Sequence, residues 1–263
     1  AANADNDLLH LRGNAGTHDL TLMMDTLKAL QTHKANGGEV RLPRYDKSLR
    51  AGRGDRAPEE AWDVITEDRP VDVILFEGWM LGFAPYEALT DHVLTDICTH
   101  NTQKSPLTGS LPPGQKVVYS HQDQININAV NTHLKSYSDL HTMFDGWLVI
   151  ALMDISYVYQ WRLDAEKKMI SSGKSGMSDN QVADFISRFM PAYQVYCPNL
   201  HTRGKGPAPR MLMPSHMDES FASCHESENA SSVDSNRDQY LCPCPALMIS
   251  IDENRLPVAA KFL

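Results

Sequence analysis

The sequence predicts an α/β fold with a largely parallel sheet, because short apolar runs alternate with stretches of helical periodicity. Three of these runs are typical of buried strands: VDVILFE at 71–77, GWLVIAL at 146–152 and ALMISID at 246–252. The chain has 263 residues, of which 42% are apolar, so it is long enough for one domain with a substantial core.

Helical patterns lie before and between these strands. Thr17 is placed to cap a helix that Gly37 and Gly38 end, and Ser178 is placed to cap a helix that runs to Met190. The remaining predicted elements are helices at 128–143 and 157–170, a short strand at 39–43, a charged loop at 44–60 and a flexible insertion at 201–243.

Composition excludes several classes of protein. The net charge of −9 argues against a nucleic-acid partner, which favours a basic surface. Without a run of about 18 apolar residues, no membrane span is predicted. The first residues lack the basic start and apolar core of a signal peptide, and five cysteines indicate reduced thiols rather than a disulfide framework. We therefore expect a protein that is not secreted.

Glu77 ends the first of the predicted parallel strands. Ligands of open α/β sheets bind at the carboxyl ends of the strands. An acid there can hold a metal-bound water beside the phosphates of a nucleotide. The alternative is an acid at a strand end that faces solvent.

A phosphate loop has the pattern G-x-x-x-x-G-K-[ST] between a strand and a helix. The near match is KMISSGKS at 168–175, where Lys168 replaces the first glycine. This segment also follows a predicted helix rather than a strand. The chain therefore contains no recognisable phosphate loop.

Two polar motifs are candidates for anion binding. RYDKSLRAGRGDR, at 44–56, is rich in arginine, whose forked guanidinium binds carboxylates and phosphates. The alternative is a solvated charged loop. RGNAGTHD, at 12–19, combines two glycines with a helix start, where backbone amides can receive an anion. An ordinary capped turn has the same pattern.

Five blocks, in order, resemble the D-glycerate 3-kinase family of P-loop kinases, which is related to phosphoribulokinase and uridine kinase. They are RGNAGTHDL, PRYDKSLRAGRGDRA, ILFEGWMLGF, YVYQWRLDAEKKM and GMSDNQVADFISRFMPAY. The resemblance implies transfer of the γ-phosphoryl group of ATP to D-glycerate, with Mg²⁺, to give 3-phosphoglycerate. It also implies a three-layer P-loop-kinase-like parallel sheet flanked by helices.

The same resemblance implies a single domain over 1–263, with a lid at about 157–195 and an insertion at about 201–245. Family members begin with a strand, a P-loop and an acidic segment before the RGNAGTHD block. This chain starts just upstream of that block, so we expect it to be an N-terminally incomplete kinase that lacks the P-loop strand and loop.

Residue roles also follow from the resemblance. Glu77 is expected to hold Mg²⁺ through water, and Arg162 to close over the phosphates as a lid arginine. The residues expected to bind substrate are His18, Asp19, Asp46, Lys47, Arg53, Asp55 and Arg56.

The expected partners are glycerate and ATP, with no nucleic acid and no membrane, and we expect a monomer. A plant or algal protein of this family implies the chloroplast stroma and photorespiration, and a fungal one the cytoplasm. Two alternatives stay open. One is a non-catalytic kinase-like remnant that acts as a binding protein, and the other is a related kinase with a different small acceptor.

Overall fold

A computed structural model describes residues 5–46, 49–52, 54–68, 70–90, 94, 119–173, 176–201 and 246–262. The chain forms two compact units, which we call the small unit and the large unit. The small unit is His18–Trp79, and the large unit combines Ala1–Thr17 with Met80–Leu263. The predicted insertion lies outside the described residues from 202 to 245.

The small unit begins with helix α1, Leu20–Asn36, which packs against strand β1. Gly37 ends the helix at a φ of 66°, and its amide donates to the carbonyl of His33 at 2.8 Å. The predicted helix end is therefore confirmed. The other elements of this unit are β1 (Val40–Leu42), β2 (Tyr45–Asp46), α2 (Leu49–Gly52), β3 (Asp55–Arg56) and β4 (Asp63–Ile65). The strands form two antiparallel pairs, β1 with β4 and β2 with β3.

The predicted strand at 71–77 is wrong. These residues form no strand, and the side chains of Val73 and Leu75 are more than four-fifths exposed. An apolar run becomes a strand only when neighbouring strands accept and donate its backbone hydrogen bonds. Within the described parts of the chain, no strand pairs with 71–77.

The large unit is mainly helical. Serine caps two helices as part of a capping box, Ser120 with Asp123 and Ser178 with Gln181, so the cap predicted at Ser178 is confirmed. The helix predicted at 128–143 is two helices and begins earlier. The helices are α3 (His121–Leu134), α4 (Tyr137–His141), α5 (Tyr157–Ser171), α6 (Asp179–Ser187) and α7 (Met190–His201).

Aromatic side chains fill much of this unit's core. Phe83 and Tyr196 are almost fully buried, and their rings stack with centroids 5.5 Å apart. The helices also bury Val130, Leu134, Tyr137, Leu140 and Val195. None of the helices in the described ranges is long and apolar enough to span a membrane.

A three-stranded sheet completes the large unit. Strands β5 (Trp147–Leu152) and β6 (Ala246–Ile251) run parallel, and β7 (Pro257–Phe262) pairs with β6 in the antiparallel direction. The predicted strands at 146–152 and 246–252 are confirmed, and the fold is a mixed α/β fold. The prediction of a largely parallel sheet is wrong for the described residues, where β5 with β6 is the one parallel pair and the other three strand pairs are antiparallel. On β5, Val149 and Ala151 are buried, whereas Leu148 and Ile150 are about half exposed on the other face.

The near match to a phosphate loop lies at the end of α5. Residues Lys168–Ser171 form the last turn of the helix, and the amide of Gly173 donates to the carbonyl of Ile170 at 2.9 Å. A helix C-terminus presents carbonyl oxygens, which repel phosphate. Its rejection as a phosphate loop therefore agrees with the structure.

The first half of the RGNAGTHD motif packs against helices. A Cβ on Gly13 would lie 2.3 Å from the ring of Phe189, and one on Gly16 would lie 2.3 Å from the ring of His133. The fully buried Asn14 donates its side-chain amide to the carbonyls of Leu8 and Arg188, at 2.8 and 3.0 Å. These glycines permit close backbone approach.

We expect Gly13→Ala to lower the free energy of unfolding by about 2–4 kcal/mol, because it adds overlap with a buried ring to a left-handed backbone. Gly173→Ala is the matched control. Gly173 has a φ of 79° but no atom within 4 Å of its Cβ position, so we expect a loss of about 1 kcal/mol. Urea denaturation measures both, and equal losses would contradict the packing argument.

Candidate active site

The predicted site residues are distributed over the two units. Arg162 lies in the large unit, and Lys47 and Arg53 lie outside the described residues. The small unit contains His18, Asp19, Asp46, Asp55, Arg56 and Glu77.

Asp19 caps α1, in the place that the sequence had assigned to Thr17. Its Oδ1 accepts from the amide of Leu22 at 3.1 Å, and its Oδ2 accepts from Nη2 of Arg56 at 2.6 Å. The Leu22 amide and then the Arg56 guanidinium lower the pKa of Asp19 below its usual value. The hydroxyl of Thr17 instead accepts a hydrogen bond from the amide of Gly13 and donates one to the carbonyl of Asn14. Asp19 therefore stays ionised and orients Arg56.

The charged loop predicted at 44–60 contains a β-hairpin. Strands β2 and β3 place Asp46 directly opposite Asp55, and like charges in such a position repel. Nε of Arg50 donates to Asp55, and the amide of Arg56 donates to it at 2.8 Å. The Arg50 side chain and then this amide lower the pKa of Asp55. The cation of Arg50 thus offsets the repulsion.

Backbone geometry around this hairpin is unusual. Arg50 has a φ of 52°, a left-handed conformation that costs a non-glycine residue about 1–2 kcal/mol. Gly54 has a φ of 76°, and a Cβ there would lie 2.2 Å from Oη of Tyr45. The glycine of the Arg-Gly-Asp sequence is therefore required by the ring of Tyr45 and by the turn.

Glu77 and His18 differ in their exposure to solvent. Glu77 is exposed and His18 is half-buried. Mg²⁺ keeps several waters and takes one or two carboxylates together with substrate phosphates, so an exposed Glu77 fits a water-mediated contact. No group of three or more metal-binding side chains occurs within the described ranges.

Arg162 lies on α5, with its side chain one-third exposed. Its Nη2 lies 2.6 Å from Oε1 of Glu166, one helical turn further on. Its Cζ lies 5.0 Å from the ring centroid of Phe185, on α6. The sequence placed Arg162 on a helix but missed both partners. The four-residue spacing to Glu166 was the one available signal.

Comparison with known proteins adds to this geometry. No family model matches the chain. The chain is 40% identical over 219 residues to the chloroplastic D-glycerate 3-kinase of Arabidopsis thaliana. This alignment covers 82% of this chain and 41% of that protein.

The sequence of this chain is thus similar to that of a D-glycerate 3-kinase.

A solved structure of D-glycerate 3-kinase from Cryptococcus neoformans aligns with a TM-score of 0.67 and 27% identity, over 100% of this chain and 73% of that one. The probable ATP-dependent kinase TDA10 of Saccharomyces cerevisiae is 34% identical over 198 residues, covering 73% of this chain and 58% of that protein. The resemblance and the mixed α/β fold predicted from the sequence are thus confirmed. This chain spans about half the length of the curated relatives it matches.

We expect Asp19→Ala to lower the free energy of unfolding by about 1 kcal/mol at pH 7, because it removes the helix cap. Asp19→Asn keeps a good cap and loses only the charge, so we expect a smaller loss.

The stability that Asp19 contributes should decrease at acid pH. Because the folded pKa of Asp19 is lowered, its stabilisation is present above the unfolded value of 3.8 and is lost as pH falls through the folded pKa. Urea denaturation at pH 7 and at acid pH should show wild type and Asp19→Ala converging on acidification. A constant difference would exclude an ionised cap.

Proposed function

We propose that this chain is part of a kinase that transfers the γ-phosphoryl group of ATP to the 3-hydroxyl of D-glycerate, giving 3-phosphoglycerate and ADP. The observation that carries this proposal is the 40% identity to a D-glycerate 3-kinase over 82% of the chain. A relative described as an ATP-dependent kinase supports the use of ATP. Mg²⁺ is part of the proposal because phosphoryl transfer requires neutralisation of the phosphate charge.

The small unit suits a small hydroxy acid. Glycerate carries one carboxylate, for which guanidinium groups are good partners, and two hydroxyls, which can donate to aspartates. Arg56 and Arg50 are already oriented by Asp19 and Asp55. We assign substrate binding to His18, Asp19, Asp46, Lys47, Arg53, Asp55 and Arg56.

Charge on the transferring phosphoryl group requires further partners. We assign Arg162 to that role, because a partly exposed guanidinium with fixed orientation stabilises developing negative charge. We assign Glu77 to hold Mg²⁺ through water. The bond between the γ-phosphorus and the bridging oxygen breaks as the glycerate oxygen attacks.

A P-loop kinase also needs a loop that binds the phosphates of ATP. The pattern G-x-x-x-x-G-K-[ST] does not occur in these 263 residues. We propose that a segment outside this chain supplies it and completes a three-layer, P-loop-kinase-like parallel sheet. We also propose a single kinase domain over 1–263, with a lid at about 157–195 and an insertion at about 201–245.

The missing pattern also favours one other function, a non-catalytic kinase-like protein that binds a small acid without phosphoryl transfer. The charged pairs Asp19–Arg56 and Arg50–Asp55 fit both functions. Only turnover separates them.

We further propose a monomer without nucleic-acid or membrane partners. A plant or algal source implies the chloroplast stroma and photorespiration, in line with the chloroplastic relative. Another source implies the cytoplasm.

The first test is the intact mass of the protein from its native source, with an assay of ATP-dependent phosphorylation of D-glycerate on the same sample. We expect turnover and a mass above the 29.4 kDa of these residues. A mass of 29.4 kDa without turnover would favour the binding protein.

A second test addresses the substrate cluster. We expect Arg56→Ala to raise KM for D-glycerate at least tenfold, since charge-assisted hydrogen bonds contribute about 1.5–3 kcal/mol. Arg41→Ala is the control, because Arg41 is an exposed arginine of the same unit whose contact with Glu39 is 4.0 Å long. Steady-state kinetics measure both, and equal effects would remove Arg56 from the site.

A further inference from the structure

Glu166 is the one carboxylate that is buried in the described part of the chain. Its side chain is 3% exposed. Burial of an ionised carboxylate is unfavourable unless the group is paired and hydrogen-bonded. The partners of Glu166 therefore show what its position provides.

The two oxygens of Glu166 bind different parts of the chain. Oε1 lies 2.6 Å from Nη2 of Arg162, on the same helix, and Oε2 accepts from the amide of Met177 at 2.8 Å. Met177 lies just before α6. Glu166 thus connects Arg162 with the residues that immediately precede α6.

Gly176 makes this contact possible. A Cβ there would lie 3.1 Å from Oε2 of Glu166 and 2.8 Å from Cγ1 of Ile170. A side chain at this position would push Gly176 away from the carboxylate. The close approach therefore depends on glycine.

The guanidinium of Arg162 is restrained in two directions. Its Nη2 lies 2.6 Å from Oε1 of Glu166, and its Cζ lies over the ring of Phe185, 5.0 Å from the centroid. Its Nε is buried and has no hydrogen-bond partner within the described structure. These two contacts restrain the guanidinium while a third of the side chain stays exposed.

We propose that Glu166 is a positioning residue, which holds the guanidinium of Arg162 in the orientation that stabilises the transferring phosphoryl group. This inference rests on the proposed function. A preoriented cation needs no reorganisation during the reaction, which is why its orientation affects kcat more than substrate affinity.

The test is a double-mutant cycle in the full-length native kinase. Glu166→Gln keeps an acceptor for the Met177 amide and removes the charge that holds Arg162. We expect it to lower kcat about tenfold, with KM for D-glycerate within about twofold. We expect Arg162→Ala to lower kcat about a hundredfold, and the double variant to match Arg162→Ala.

Asp184→Asn is the matched control. Asp184 pairs with Arg188 at 2.9 Å, also four residues apart and in the same unit, but it is about two-thirds exposed. We expect kcat to be unchanged in this variant. An unchanged or raised kcat in Glu166→Gln would overturn the inference, as would an equal loss in the presence and absence of Arg162.

A second measurement separates this inference from the proposed function. In NMR spectra, we expect Glu166→Gln to shift the Arg162 Nε–H resonance and to speed its exchange with water, and Asp184→Asn to leave it unchanged. An unperturbed resonance overturns the positioning role, whatever the activity. If D-glycerate is not phosphorylated but the resonance shifts, the proposed function fails and the catalytic part of this inference fails with it.

Discussion

Close backbone approach at two glycines constrains the large unit. Gly13 lies against the ring of Phe189 and Gly16 against that of His133, so the segment before the small unit is fixed to the end of α3 and to the junction of α6 and α7. Asn14, fully buried between them, adds hydrogen bonds to Leu8 and Arg188. Interiors packed at this density leave no room for even one added carbon.

Charges are used differently in the two units. In the small unit, the pairs Asp19–Arg56 and Arg50–Asp55 are largely exposed. Exposed pairs contribute little to stability, so a substrate carboxylate can replace one partner at low energetic cost. The same residues can therefore shape the hairpin without a ligand and bind an acid when one arrives.

The pair in the large unit has the opposite character. Glu166 is buried, its second oxygen is satisfied by a backbone amide, and Arg162 is also held by an aromatic ring. A buried ion pair is weak support for stability, because desolvation offsets much of the attraction. Its geometric restraint on Arg162 is the more distinctive consequence.

Contiguous residues determined much of this protein. Gly37 and Gly38 end α1, Ser178 begins α6, and the apolar runs at 146–152 and 246–252 form paired strands, because caps and periodicity act over a few neighbouring positions. For the candidate site, the sequence identified residues by type and by position along the chain, but none of the contacts between them.

Tertiary structure decided the rest. The run at 71–77 has a strand's composition but no paired strand in the described chain. Strand β7 was not predicted, and all of its residues are exposed. The contacts of Arg56 with Asp19, and of Glu166 with the amide of Met177, join residues 37 and 11 positions apart. Sequence periodicity is local, whereas strand pairing, close approach at glycine and the choice of ionic partner depend on which distant segments the fold brings together.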